Sequence, residues 1–337
     1  MASPAPSRLF FADRGDDRER LDRTLVRHLA DLAVSRVEAA RWVRAGKVAV
    51  NGQPGGKPAQ RLLRGDRVAV ELPPPPPDAP PLLAEEMALA VLHEDDHLLA
   101  VDKPAGVVVH PTWGHRAGTL LNGLLWRAAL DGTGDGAAWR PRLLHRLDRG
   151  TSGVMLVAKT PLAQRVLARA WQRREVEKEY LAVVLGRPEA RAGRVDLAIS
   201  RDPQDPKRRI AGPDGRPSVT RWELLAETPE GADPVALLRC RPETGRTHQI
   251  RVHLAAAGMP IAGDPLYGDG APPSLSPRLA SLVAALGRHA LHAAALSFLH
   301  PASGRPMRLE ATLPRELEAL LAVAGLPPSV ADREATR

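Results

Sequence analysis

Four short stretches of this chain concentrate side chains able to do chemistry. They are Lys103-Pro-Ala-Gly-Val-Val-Val-His-Pro111, His145-Arg-Leu-Asp-Arg-Gly-Thr-Ser-Gly153, Lys178-Glu-Tyr180, and Glu243-Thr-Gly-Arg-Thr-His-Gln-Ile-Arg-Val-His-Leu254 followed by Gly263-Asp-Pro-Leu-Tyr-Gly268. Asp148 lies between Arg146 and Arg149 in a polar loop that runs into an apolar segment. Nearby positive charge favours the carboxylate anion, which can serve as nucleophile, base or charge partner. Taken alone, an aspartate in such a turn is more often a cap or a surface ion pair. The fourth stretch is dense in donors: Arg246, Thr247, His248, Gln249, Arg251 and His253. Read as a helix over 247–257, it places Arg251 on one face with Thr247 and His248 and sets Arg246 apart. One arginine can then pair with Asp148 while the others hold phosphate. Tyr180 is one of only two tyrosines, with Tyr267. A ring at a strand start is usually core, yet beside a basic pocket it is also what stacks on an extruded base.

Other chemistries fit poorly. His248 and His253 are five residues apart rather than four, and no His-Glu-x-x-His occurs, so no metal is expected. Ser152, His145 and Asp148 lack the elbow of a serine hydrolase. Neither G-x-G-x-x-G nor G-x-x-x-x-G-K-[ST] is present, so no nucleotide cofactor is expected. The single cysteine, Cys240, excludes an intramolecular disulfide and a cysteine-cluster zinc site, and its strand-like surroundings predict a buried thiol.

These stretches need elements to position them. The pattern predicts strands at Leu98–His110, Val154–Lys159, Tyr180–Leu185, Val195–Ile199, Val219–Ala226, Ala236–Cys240, Ala290–Phe298 and Met307–Leu313. Helices are predicted over Thr119–Leu130 and after Thr160-Pro161, a cap followed by proline at the first helical position. Strands in succession with irregularly interspersed helices predict an α+β domain with a mixed, largely antiparallel sheet. A proline run, Pro73-Pro-Pro-Pro-Pro-Asp-Ala-Pro-Pro81, reads as a semi-rigid spacer. The expected division is a small module at 15–72, a linker at 73–84, a large domain at 85–326 and an unstructured tail at 327–337. In the small module Leu21, Leu25 and Leu29 share a helical face, and Ser35 is a candidate N-cap for a helix to Ala45 closed by Gly46. Arg36, Arg44 and Lys47, with Arg41 at the edge, then make a basic face that is either merely solvated or presented to phosphates.

The chain has 337 residues, 44% of them hydrophobic, which suffices for two domains with cores of their own. A net charge of +8 and an isoelectric point near 10.3 suit a polyanionic partner, nucleic acid before membrane. The N-terminus lacks a basic start and apolar run, and no apolar stretch of about 18 residues occurs. A cytoplasmic protein, with no membrane association, is expected.

Residues 15–72 resemble the S4 RNA-binding domain, through Arg20-Leu-Asp, Leu25, Ser35-Arg36, Trp42-Val43, Gly46-Lys-Val-Ala-Val-Asn-Gly52 and Gly65-Asp66. The four stretches, in order and over nearly the whole large module, resemble the RluA-type pseudouridine synthases. The layout with an S4 module looks most like their RluD branch. His145-Arg-Leu-Asp-x-x-Thr-Ser-Gly153 with Gly245-Arg-Thr-His-Gln-Ile-Arg251 carries most of this likeness, and His289-Ala-Leu-His292 and Leu299-His-Pro-x-x-Gly304 look like the family's closing strands. The resemblance implies isomerisation of uridine to pseudouridine in RNA, with large-subunit (23S) ribosomal RNA as substrate, and a tRNA substrate or an inert RNA-binding assembly factor as alternatives. It implies Asp148 as the catalytic aspartate, as nucleophile or as base at the sugar, Tyr180 stacking on the target base, and Arg251 paired with Asp148. Tyr180 could also help remove the C5 proton, and Arg146 could fill the gap left by the flipped base. Arg36, Arg41, Arg44, Lys47, Arg146 and Arg246 are the expected RNA contacts, with no cofactor and a monomeric state. Gly150 departs from a family position that often bears a side chain, and glycine would loosen the loop two residues from Asp148.

Overall fold

A computed structural model describes residues 7–29, 34, 36–72, 82–111, 117–132, 139–205, 207–268 and 275–327. The chain forms two compact units, 1–81 and 82–337. Ser35, the proline run and most of the tail lie outside the described residues.

The first unit runs β1 (Ser7–Phe11), α1 (Leu21–His28), α2 (Arg36–Arg44), β2 (Val48–Val50), β3 (Gln53–Pro54) and β4 (Arg67–Glu71), with antiparallel sheet order β1-β4-β2-β3. Leu21, Leu25 and Leu29 pack as their spacing predicts, against Val43, Val48, Val68 and Val70. β1 was not anticipated: it lies before residue 15 and is held by pairing with β4 rather than by a strong pattern of its own. One part of the expected basic face, the place of Lys47, is corrected. α2 ends at Arg44 and Gly46 turns the chain at φ +71°, so Lys47 is off the helix and pairs with Glu71 of β4. Arg36, though exposed, pairs with Asp22 of α1 at 3.0 Å, whereas Arg41 and Arg44 are exposed with no ion pair among the described residues.

The second unit contains β5 (Ala90–Glu94), β6 (Leu98–Lys103), α3 (Leu120–Asp131), β7 (Arg142–Leu143), β8 (Ser152–Ala158), α4 (Pro161–Arg173), β9 (Glu177–Leu185), β10 (Ala192–Asp196), β11 (Ala198–Arg201), β12 (Arg209–Gly212), β13 (Val219–Glu227), β14 (Val235–Pro242), α5 (Gln249–Ala256), α6 (Pro277–Ala285), β15 (Leu291–Leu299), β16 (Pro306–Glu310) and α7 (Arg315–Val323). Its main sheet has the order β10-β13-β14-β9-β15-β8-β6-β5, with β16 on β15 and β7 on β8. Among the described residues only β15 and β8 pair in parallel, so the sheet is mixed and largely antiparallel, as expected. β8 is buried along its whole length, which explains its unbroken apolar run. Leu98, Ala100, Val154 and Leu156 meet α4 residues Ala163 and Leu167 on one face, while Leu99, Val101, Met155 and Val157 meet α3 residues Leu120 and Leu124 on the other. Thr160 caps α4 by accepting from the Ala163 N–H at 3.1 Å.

Three expectations need revision. Of the strands placed at 98–110 only β6 forms, because Pro104 and Gly106, at φ +88°, turn the chain after Lys103. The strand placed at 195–199 breaks at Leu197, because β10 joins the main sheet while β11 pairs with β12. The helix placed at 247–257 begins at Gln249, because His248 takes a left-handed conformation at φ 58°. Thr247 and His248 therefore do not share a helical face with Arg251.

Candidate functional site

The sheet order β9-β15-β8 sets the distance between the key side chains. Ala293 of β15 is paired with Tyr180 of β9 on one side and with Gly153 of β8 on the other. Gly153 sits at φ +114°, and a Cβ there would fall 2.2 Å from the Ala293 carbonyl oxygen, so only glycine lets the two backbones close. The loop 148–151 thus emerges two strands from Tyr180, about 10 Å across the sheet.

That loop is fixed carbonyl by carbonyl. The Thr151 N–H donates to the Asp148 carbonyl at 3.1 Å. The Gly106 N–H donates to the Arg149 carbonyl at 2.8 Å, and Lys103 Nζ reaches it at 3.4 Å while also donating to the Pro104 and Val107 carbonyls. Arg288 donates to the Gly150 carbonyl at 3.1 Å and is anchored by Glu316. Burial, with the Arg288 charge, lowers the fully buried Lys103 ammonium to about 8. Gly150 does not act as a loose hinge. A Cβ there would lie 2.8 Å from His289 Cε1, and His289 is itself bonded to Thr151 Oγ1 at 2.8 Å. The glycine makes room for the imidazole.

On this loop Asp148 accepts from Arg251 Nη1 through Oδ2 at 3.1 Å, the pairing expected from the sequence. Arg251 is 4% exposed, and its Nε and Nη2 form a fork onto Asp264 at 2.7 and 2.8 Å. Asp264 Oδ1 also accepts from the Leu266 and Tyr267 N–H groups. Burial opposes the charge on both partners, but their mutual hydrogen bonds and attraction outweigh it, raising the Arg251 pKa and lowering that of Asp264. Arg251 is thereby a fixed cation that presents one N–H to Asp148.

His248 approaches the same oxygen, its Nε2 3.9 Å from Asp148 Oδ2. Tyr267 accepts from the Arg209 N–H at 2.8 Å and shares a hydrogen bond with His248 Nδ1 at 2.9 Å. Burial above all lowers the His248 pKa. The Tyr267 ring also lies against the Arg251 guanidinium, 5.0 Å from its centroid.

Asp148 and Tyr180 line one cleft of about 470 Å³, together with Arg146, Arg174, Lys178, Arg246, His248 and Arg251. Burial, and then the Asp148 charge, push the Tyr180 phenol well up, so it is neutral. Lys178 donates to the Thr244 carbonyl at 3.3 Å, and burial with the Arg174 charge brings its ammonium down to about 8. Arg246 Nε is buried without an acceptor among the described residues. A second cleft of about 780 Å³, lined by His110, Arg149, Arg288 and His289, shares Arg146, Asp148, His248 and Arg251 with the first. The structure therefore gathers Asp148, Tyr180, Arg251, Arg146 and Arg246 at one place. Arg36, Arg41, Arg44 and Lys47 belong to the other unit.

His145, His253, His292 and Cys240 are structural. His145 Nε2 accepts from the Leu156 N–H at 3.0 Å, its ring stacks on Trp171, and burial lowers it to about 3. Ser152 bonds to His292 and not to His145, which removes the hydrolase triad. His253 is spent on Thr220 and the Leu197 carbonyl, and Cys240 is buried with its thiol pushed up to about 12. Sequence reasoning left Asp264, His248, Lys178, Arg288 and His289 without a role, although all five lie within or beside the quoted motifs.

Residues 97–256 match the RNA pseudouridylate synthase family and residues 19–68 match the S4 domain. The chain is 40% identical over 289 residues to Ribosomal large subunit pseudouridine synthase D of Xanthomonas campestris pv. campestris, covering 85% of this chain and 84% of that protein. It is 41% identical to the protein of the same name from Nitrosomonas europaea, covering 93% of this chain and 87% of that one. The solved structure of Human RNA Pseudouridylate Synthase Domain Containing 4 superposes with a TM-score of 0.57 at 27% identity, covering 71% of this chain and 94% of that one. On this likeness across both units, the chain belongs to the RNA pseudouridylate synthase family and carries an S4 domain at its N-terminal end.

Proposed function

We propose that this chain isomerises uridines to pseudouridine in large-subunit ribosomal RNA, with Asp148 as the catalytic carboxylate. The observation that carries the reading is the state of that carboxylate. Its hydrogen bonds among the described residues all fall on Oδ2, from a buried arginine that is itself held by Asp264, and Oδ1 is left for the sugar. An anion with one oxygen anchored and one available suits attack at C1′ or proton removal at the sugar.

In the reaction the C1′–N1 bond breaks, the uracil turns over, C1′ bonds to C5, and the C5 proton is replaced by one at N1. No atoms are gained or lost overall. The target must first leave its stack, at a cost of a few kcal/mol. Stacking on Tyr180 offsets about 1–3 kcal/mol of that, and Lys178, Arg174 and Arg246 at the cleft suit the flanking phosphates. Arg146 lines both clefts and fits the gap that the base vacates. A neutral Tyr180 passes the C5 proton on through its hydroxyl rather than holding charge as a phenolate. The reading takes the chain to work in the cytoplasm as a monomer, with Arg41 and Arg44 of the S4 domain adding phosphate contacts.

The test is to incubate the purified chain with large-subunit rRNA from cells lacking it and to map pseudouridine chemically. New pseudouridine at discrete positions is expected. Binding without product would support an inert assembly factor, product only in tRNA would move the substrate, and free uracil would indicate hydrolysis.

A further inference from the structure

Helix α4 (Pro161–Arg173) has a solvent face that neither the fold nor the cleft chemistry uses. Its sequence, PLAQRVLARAWQR, contains three arginines and no acid. Arg165, Arg169 and Arg173 are spaced four apart and are all exposed. At about 100° per residue they fall within one arc, opposite the buried Ala163 and Leu167. A rise of 1.5 Å per residue spreads the three guanidinium groups along about 12 Å.

Helix stability does not account for this row. Like charges at i,i+4 destabilise a helix by a few tenths of a kcal/mol per pair, and the row contains two such pairs. A cation gains from the helix dipole only in the last turn, which covers Arg173 but neither Arg165 nor Arg169. Arg165 and Arg169 make no ion pair among the described residues, and Arg173 has only the exposed Glu175 at 3.8 Å. The row also leads somewhere. At the C-terminal end of α4, Trp171 and Gln172 line the cleft that holds Asp148 and Tyr180, and so does the following Arg174. Leu162 and Val166, 46% and 36% exposed, lie on the same arc, where apolar side chains can rest against sugars.

We infer that the arginine face of α4 is a docking track for the RNA strand leaving the Asp148 cleft, with Arg165, Arg169 and Arg173 on successive phosphates. The inference rests on the function proposed above and assigns part of the RNA path to the catalytic unit, separate from the S4 domain. Three phosphate contacts contribute a slope of about 2 to 3 in log K against log salt.

The experiment compares the full-length chain with an Arg165→Gln/Arg169→Gln/Arg173→Gln variant. Glutamine is nearly as good a helix former as arginine, so α4 is retained, as circular dichroism will show. Binding to a large-subunit rRNA fragment is followed across a KCl titration, with turnover measured at saturating RNA. The track predicts a Kd raised roughly tenfold at physiological salt and a slope shallower by about 2. It also predicts kcat within twofold of the unsubstituted chain. An Arg165→Lys/Arg169→Lys/Arg173→Lys variant keeps most of the slope. An unchanged slope in the glutamine variant overturns the inference and leaves the row as a solvated face. If the unsubstituted chain makes no pseudouridine, the functional reading fails on its own, while the salt slope still decides whether α4 holds RNA.

Discussion

Replacing Asp264 by asparagine separates the positioning of Asp148 from its chemistry. Asp264 receives four N–H groups, from Arg251 Nε, Arg251 Nη2, Leu266 and Tyr267. An asparagine can keep its oxygen at the Oδ1 position, where three of these converge, but its NH₂ group then faces Arg251 Nε–H, donor against donor. Breaking a buried ion pair outright costs about 3–5 kcal/mol. With three bonds retained and Asp148 still facing Arg251, about 2–3 kcal/mol is expected. For a unit of this size that lowers Tm by roughly 6 °C. Arg251 should swing from its fork, and a misplacement of about 1 Å at Asp148 lowers kcat roughly a hundredfold with RNA affinity little changed. The stability gap has a pH signature. Asp264 is held below its usual pKa by Arg251, so its contribution is complete above the unfolded-state value of about 4 and is lost as pH falls through the lower folded value. The gap between native and variant chains should be full at about pH 6 and close in acid. Thermal unfolding by circular dichroism and release of tritium from RNA containing 5-tritiated uridine measure the two effects. A variant with unchanged Tm and turnover would show that Asp148 alone holds Arg251, and the reasoning would fail.

Three other outcomes follow from the same geometry. Gly150→Ala drives a methyl into the anchored His289 ring and should cost about 1–3 kcal/mol, recovered in part by His289→Ala in the same chain; an unchanged Tm would deny the packing role. Lys178 loses its charge near pH 8, so KM for RNA should rise between about pH 7 and pH 9 and should not do so in Lys178→Arg, whose charge persists; parallel profiles would remove Lys178 from RNA binding. Joint Arg41→Gln and Arg44→Gln should make the salt dependence of RNA binding shallower by about 1 to 2, whereas Arg36→Gln should chiefly lower stability through Asp22; equal effects on the slope would restore the wider basic face.

The parts of the site that could be read in advance are those carried by short motifs. Asp148, Tyr180 and Arg251 stand in short contiguous motifs, and it is the resemblance of those motifs to the family that singles them out; by local chemistry alone Asp148 reads as an ordinary turn residue. The supports are not singled out in this way, because their partners are distant in sequence. Arg251 finds Asp148 across 103 positions, Lys103 reaches the Arg149 carbonyl across 46, and Arg288 reaches Gly150 across 138. Gly150 was misjudged for that reason: its neighbour is an imidazole 139 positions away. Period-two and helical patterns located β8, α4 and β9 well because each is packed on a buried face. They failed at Leu197, where one apolar stretch serves two sheets, and at His248, whose left-handed backbone no propensity foretells. β1 is a short edge strand, mostly exposed, and is defined by its partner.

The most direct test of the account is tritium release from rRNA containing 5-tritiated uridine, comparing the native chain with Asp148→Asn. The substitution keeps the side chain's shape and its Arg251 contact but removes the anion. The account predicts release by the native chain, none above background by the variant, and the same RNA affinity for both. Native-level release by Asp148→Asn would contradict it.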